Sequence, residues 1–237
     1  MSKNNNNTAS KAKKKQYDNF KTFIKKLAKT HQTDIRIDKS ALILLDTIIK
    51  GQCKKIIRES EFLLIKSKTN RQTLSFIDAQ AAIDLLYIAP DNRRYKDTLA
   101  GEIRDYCTKA KAVYVDYLKK KSSLKKSQRN PESLRKLATE FKRNSNLIFP
   151  LSRVKTLVRS QFITNNVCRI SDEYIIYITI TVQHIISNIL QSAIEIKKNL
   201  TVTSKIINKG IRFDPLLAKI FSDAMIVGGG IIPSVGH

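Results

Sequence analysis

Apolar residues along this chain recur at helical spacing in a short, long, short order, and that order occurs twice. The first pass opens with Tyr17, Phe20, Phe23, Ile24 and Leu27 on one face of a helix spanning Tyr17 to Lys29, with Lys21, Lys25 and Lys26 off that face. The segment THQTDIRID breaks the period. A long helix then starts near Lys39 and carries Leu42, Leu45, Ile48, Ile49, Cys53, Ile56 and Ile57 towards Lys66. After the polar run KSKTNRQTL, Ser75 and Asp78 form a capping-box start. The helix they open carries Ala79, Ala82, Ile83 and Leu86 and stops at Ala89-Pro90. A further helix from about Gly101 to Lys121 carries Ile103, Tyr106, Ala110, Val113 and Tyr117.

The second pass begins with Val154, Leu157 and Val158 in a short helix, followed by a loop in SQFITNNVCRI. The next segment, EYIIYITITVQHIISNILQSAIEI, carries a local conflict. YIIYITITV is β-branched and aromatic and on its own favours a strand. Beyond it, Val182, Ile185, Ile186, Ile189, Leu190 and Ala193 fall at helical spacing, which predicts one long helix throughout. KKNLTVTS interrupts it, a third helix runs through Ile206, Ile207 and Ile211, and Asp214-Pro215 opens a last short helix to Met225. Between the passes, Asn130 and Pro131 make an N-cap and first-turn pair, and Leu134, Leu137, Ala138 and Phe141 form a stripe, so the linker holds a short helix. The expected organisation is a basic tail over 1–16, a first unit over 17–121, a linker over 122–146, a second unit over 147–227 and a terminal segment over 228–237. A short-long-short unit cannot cover its own long helix, and two units in one chain supply each other's cover.

Charge narrows the partner. The 237 residues hold 44 Lys and Arg against 20 Asp and Glu, a net charge of +24, which favours a polyanion. The tail contributes Lys3, Lys11, Lys13, Lys14 and Lys15 with no acid, a disordered counterion for phosphates, and no apolar stretch of the secretory kind. Tyr174 to Ile194 is uncharged and long enough to span a bilayer. Gln183, His184, Asn188 and Gln191 mark a polar edge along it, however, which is costly in lipid, so no membrane partner is expected. Cys53, Cys107 and Cys168 form no CxxC pair and read as small buried residues in a reducing compartment. His31, His184 and His237 are scattered, and Gly228 to Gly230 neither follow a strand nor open a helix. No catalytic residue, metal, cofactor or small-molecule substrate is expected.

The helix order resembles the histone fold. In the first half, RQTLSFIDAQAAIDLLYIAP (Arg71 to Pro90), then Gly101, Glu102 and Ile103, then Lys111, Ala112, Val113 and Tyr117, are similar to histone two-B. In the second half, Phe149, Pro150, Arg153, Val154, Leu157 and Arg159 match the FPxxRxxxLxR lead into the first helix of histone two-A. Ile211, Arg212 and Asp214 match its third-helix exit, and GGGIIPSV from Gly228 resembles its docking segment. A fusion in this order resembles the histone doublets of giant DNA viruses.

That resemblance implies an all-α protein with two histone folds in one chain, paired as an intramolecular handshake dimer. It implies a core histone that wraps double-stranded DNA without base specificity. The implied partners are a histone three/four-like doublet or pair and a second copy of this chain in an octamer-like particle, and the implied setting is the virion and the infected-cell DNA compartment, viral factory or host nucleus. The implied DNA-binding residues are Lys25, Lys26 and Lys29 on the first helix, Arg36 and Lys39 before the first long helix, and Lys68, Arg71 and Thr73 after it. Arg153, Arg159, Arg169, Lys197 and Lys198 complete the set from the second half. Arg36 and Lys39 are expected beside Lys197 and Lys198, and Lys68, Arg71 and Thr73 beside Arg169. Thr201 stands where an arginine of the second loop is expected. The family's acidic patch is reduced to Glu102 and Asp214, with Gln183, Asn188, Gln191, Pro215 and Leu216 at the other positions, so arginine-anchored ligands are expected to bind weakly. The docking segment, Gly229, Gly230, Ile231, Ile232 and Pro233, ends early, and the implied particle is less salt-stable than the cellular one. The competing reading is a histone-fold subunit of a transcription-regulatory complex, against which the FPxxRV and docking-like elements argue.

Overall fold

A computed structural model describes residues 19–67, 71–87, 99–124, 130–161, 169–196 and 201–222. These residues are predominantly helical. The first half contains α1 (Lys21–His31), β1 (Arg36–Ile37), α2 (Lys39–Lys66), β2 (Thr73–Leu74), α3 (Phe76–Tyr87) and α4 (Leu99–Ser123). After α5 (Pro131–Asn144) come α6 (Leu151–Ser160), β3 (Arg169–Ile170), α7 (Asp172–Ile196), β4 (Thr201–Val202), α8 (Ser204–Phe213) and α9 (Pro215–Ile220). The tail, Tyr17, the Ala89-Pro90 stop, the loop over 162–168, Met225 and the segment from Gly228 lie outside the described residues.

Within each half the short helices lean on the long one: α1 and α3 on α2, α6 and α8 on α7. The halves then exchange contacts, with α1 and α3 reaching α7 while α6 and α8 reach α2. The long helices α2 and α7 also touch each other, and one continuous core runs from Phe20 to Phe221.

The segment with strand propensity is helical, for a tertiary reason. Every residue from Tyr174 to Val182 is buried, because α1, α2, α3, α4 and α6 pack around α7. A strand there would leave its backbone groups unpaired, whereas a helix satisfies them internally. The two threonine hydroxyls do the same: Thr179 donates to the Ile175 carbonyl at 2.7 Å and Thr181 to that of Tyr177 at 2.8 Å.

The helix starts are supplied locally and at a distance. Asp38 caps α2 by accepting from the Ala41 N–H at 2.8 Å, and Asn130 caps α5 by accepting from Ser133 at 2.7 Å. Ser75 and Asp78 behave as the sequence indicates, Asp78 accepting from both the N–H and the hydroxyl of Ser75 at 2.8 Å. The start of α1 is held twice: the Asn19 side-chain oxygen accepts the Lys21 N–H at 2.9 Å, and the buried carboxylate of Asp46, on α2, accepts the Phe20 N–H at 2.8 Å and pairs with Lys50 at 3.0 Å. Burial pushes the Cys53 thiol up to about 12, consistent with a packing role.

Two of the helical glycines, Gly51 and Gly210, differ in their surroundings. A Cβ on Gly210 would sit 3.0 Å from the Ala193 nitrogen and 3.2 Å from the Ser192 carbonyl carbon, so this glycine is what lets α8 close onto α7. A Cβ on Gly51, in mid-α2, would meet nothing within 4 Å. Thermal or denaturant unfolding will separate them. Gly51→Ala gains roughly 0.5–1 kcal/mol from helix propensity. Gly210→Ala loses roughly 1–3 kcal/mol, because its neighbours on α7 are backbone atoms and cannot step aside.

Candidate nucleic-acid interface

Two short parallel bridges join the halves, and they organise the candidate interface. β1 pairs with β4, matching Arg36 to Thr201 and Ile37 to Val202. β2 pairs with β3, matching Thr73 to Arg169 and Leu74 to Ile170. Each bridge therefore takes the segment before one half's long helix and the segment after the other half's. Backbone hydrogen bonds extend both: Asp38 N–H donates to the Val202 carbonyl at 3.1 Å, Arg169 to Gln72 at 3.2 Å and Ser171 to Leu74 at 3.0 Å.

Parallel pairing has a geometric consequence. Both strands of a bridge run the same way, so the helices that follow them start on the same side. α2 and α8 begin together beside β1·β4, where the Ser40 hydroxyl donates to that of Ser204 at 3.2 Å. α3 and α7 begin together beside β2·β3. A pair of helix N-termini next to an exposed arginine, Arg36 at one bridge and Arg169 at the other, is an arrangement that attracts phosphate.

The sequence-indicated cations fall into three groups. Arg36, Lys39 and Arg169 are exposed at the bridges, and Lys25, Lys26, Lys29 and Arg159 are exposed on the first helices of the two halves. Arg71 and Arg153 are engaged by protein. Arg71 pairs with the buried Asp78 at 3.0 Å, which holds its guanidinium next to the β2·β3 bridge. The Arg153 guanidinium donates to the Asn19 carbonyl and lies over the Phe23 ring at 4.9 Å, tying α6 to the start of α1. Thr73 is half-buried in the bridge itself. Lys68, Lys197 and Lys198 lie outside the described residues, as do Gly229, Gly230, Ile231, Ile232 and Pro233. Of the residues expected to meet Arg169, Thr73 is paired with it in the β2·β3 register, while Arg71 turns to Asp78. The expected meeting of Arg36 is present as far as Thr201, the position where an arginine was expected.

The acidic positions converge as well, and on more carboxylates than the sequence indicated. An open depression of about 560 Å³ between α4, α7 and α9 is lined by Glu102 and Asp214 and also by Asp105 and Glu195. Glu195 could have been found as the residue four after Gln191, and Asp105 as the residue three after Glu102. Lys109 and His184 line the same depression, and Lys109 offsets part of that charge. His184 meets the Glu102 carboxylate at 2.9 Å and packs its ring 5.0 Å from that of Tyr106. This contact is the main reason the Glu102 carboxyl sits below its usual value. Asp214 is occupied as the cap of α9, accepting from Leu216 at 2.9 Å and Leu217 at 3.1 Å, and it accepts from the Ser192 hydroxyl at 3.2 Å.

Gln183, at a position where the resemblance leads one to expect an acid, has a structural task instead. Its side-chain oxygen accepts from the N–H groups of Ile148 at 2.8 Å and Phe149 at 3.1 Å, while its nitrogen donates to the Asn146 carbonyl at 2.9 Å. The amide offers both a donor and an acceptor here, whereas an ionised carboxylate would only accept. It fixes the turn before α6, where Asn146 has a left-handed φ of 52°.

No protein-family model matches the chain, and no curated protein matches it. Among the described residues no group of three or more His, Cys, Asp or Glu is placed to hold a metal ion. No helix among them is long and apolar enough to cross a membrane.

Two measurements test this geometry. In a carbon-detected NMR titration, Glu102 should titrate below its ordinary 4.5, and His184→Ala should return it towards that value. Because the folded-state value is the lowered one, the stability this contact adds is present above pH 4.5 and is lost as pH falls through the folded value. At Asp214, replacement by Ala should cost about 1 kcal/mol through the lost cap, whereas Asn, which caps as well, should keep most of it. Equal melting temperatures for the Ala and Asn variants would remove the capping role.

Proposed function

We propose that this chain is a core-histone doublet: two histone folds, two-B-like then two-A-like, paired within one chain as a handshake. It wraps double-stranded DNA through phosphate contacts, with a histone three/four-like partner and a second copy of itself, in the DNA compartment of a virally infected cell and in the virion. The observation that carries this reading is the pair of parallel bridges. Each brings the loop before one long helix against the loop after the other, with two helix N-termini and an exposed arginine on the same side. The net charge of +24 supplies the attraction to a polyanion and needs no base-specific contact.

Two further features support it. Apolar side chains remain uncovered near the end of α2, Phe62 at 53% and Ile65 at 50% exposure, and a partner histone pair offers cover for them. Fusion makes pairing of the halves intramolecular and fixes their stoichiometry at one to one.

The test is nuclease digestion of long DNA reconstituted with this chain and a three/four-type histone pair. Discrete protected fragments on the order of 120–150 base pairs are expected. A double Arg36→Ala, Arg169→Ala variant should lower the salt concentration at which the particle dissociates, since each lost phosphate contact removes released counterions. A protection smear with no discrete fragment overturns the wrapping role and leaves a histone-fold regulatory subunit as the better account.

A further inference from the structure

The linker helix creates a concave surface that the bridges do not use. α5 packs on α4 through an aromatic cluster, Phe141 lying 5.7 Å from the Tyr114 ring and 5.5 Å from that of Tyr117, and Lys120 pairs with Glu140 at 2.8 Å. Where α4 and α5 face α6 and α7 they leave a groove of about 260 Å³. Its floor is apolar, with Tyr117, Leu118, Phe141 and Ile176, and Leu118 remains 41% exposed.

Its rim is cationic. Lys121, Lys142 and Lys155 surround it, against one acid, Asp172. That acid is engaged: Lys155 donates to it at 2.8 Å and the Tyr114 hydroxyl donates at 3.3 Å. Lys121 and Lys142 form no ion pair among the described residues, so the rim keeps a positive surplus of two over an apolar floor.

We propose that this groove docks a protein segment in which acidic residues flank a single large apolar side chain. The apolar side chain fills the floor and the carboxylates meet Lys121 and Lys142. The volume suits one such side chain and its neighbours. A DNA backbone matches the rim but has nothing to place on the floor, and covering an apolar floor with phosphate gains no hydrophobic energy. The proposal is independent of the wrapping reading, since it needs neither DNA nor a second histone pair.

The probe is a short fluorescent peptide with one phenylalanine between runs of aspartate and glutamate, titrated against the full chain at moderate salt. Measurable binding is expected, weakened about tenfold or more when the peptide phenylalanine becomes serine. The protein variant Lys121→Glu, Lys142→Glu should weaken it comparably. Ala138→Trp, which fills the groove and leaves the rim charges in place, should also abolish the phenylalanine dependence. A control pair, Lys54→Glu and Lys55→Glu on the exposed face of α2, should leave binding within about twofold. No measurable binding overturns the proposal, and so does binding indifferent to the phenylalanine. An equal loss in the control pair reduces the effect to net charge and overturns it too. If the rim variant instead lowers affinity for a short DNA duplex and spares the peptide, the surface belongs to nucleic acid and the docking site is withdrawn.

Discussion

The rest of this structure depends on how α7 is covered. It is apolar around most of its circumference, and its own half offers only α6 and α8 to cover it. The remaining faces are closed by α1, α2, α3 and α4 from the other half. α2 has the reciprocal need on a smaller scale and takes α6 and α8. Neither half can therefore bury its long helix without the other, and the hydrophobic effect drives the two to fold as one body. The parallel bridges follow from that exchange. Once α2 and α7 lie across each other, the segments flanking them are brought into pairs. Two-residue strands would be unstable alone, and here they only need to finish an alignment that packing has already set.

The acidic depression shows how the same residues can serve stability and surface chemistry at once. Asp214 and Glu102 line it, but each has a commitment to its own protein: a helix cap in one case, a histidine in the other. A cation from outside must compete with those contacts. Asp105 and Glu195 are exposed, and among the described residues Glu195 accepts from Gln191 alone, at 3.1 Å, so these two are freer to meet such a ligand. Removing Asp214 to probe ligand binding would at the same time weaken α9, which is why the Asn variant matters. Gln183 extends the argument. A carboxylate there would give up the donor that holds the Asn146 carbonyl, so neutrality at that position is tied to the geometry of the linker.

Helix periodicity made most of the architecture legible before any coordinates. α2 begins and reaches the residues read from its stripe, and Asn130 with Pro131 marks α5 to the residue. The long second-half helix was legible only because Val182 to Ala193 outweighed the strand propensity before it. What sequence could not carry was the third dimension. Nothing in its own spacing shows that Arg153 turns back onto Phe23 and the Asn19 carbonyl, or that Asp46 caps a helix twenty-six residues away. The extra carboxylates of the depression were missed for the same reason. Asp105 and Glu195 sit on different helices and meet only after α4 has packed on α7.

The linker helix changes what the covalent connection between the halves does. A flexible tether would hold the halves at a high effective concentration and leave each surface as it was. α5 is instead fixed at its C-terminal end. Phe141 packs it edge-on and tilted against the tyrosines of α4, and just beyond its last turn Gln183 clamps the chain to α7. The covalent connection is thus a strut, and a strut has faces. One is the aromatic contact with α4, another looks to solvent with Arg135, Lys136 and Arg143, and the edge towards α6 and α7 forms the wall of the groove. Without that helix the groove would lack its wall, because nothing else among the described residues lines that edge. The groove is therefore built from both halves and the helix between them, and neither half forms it alone.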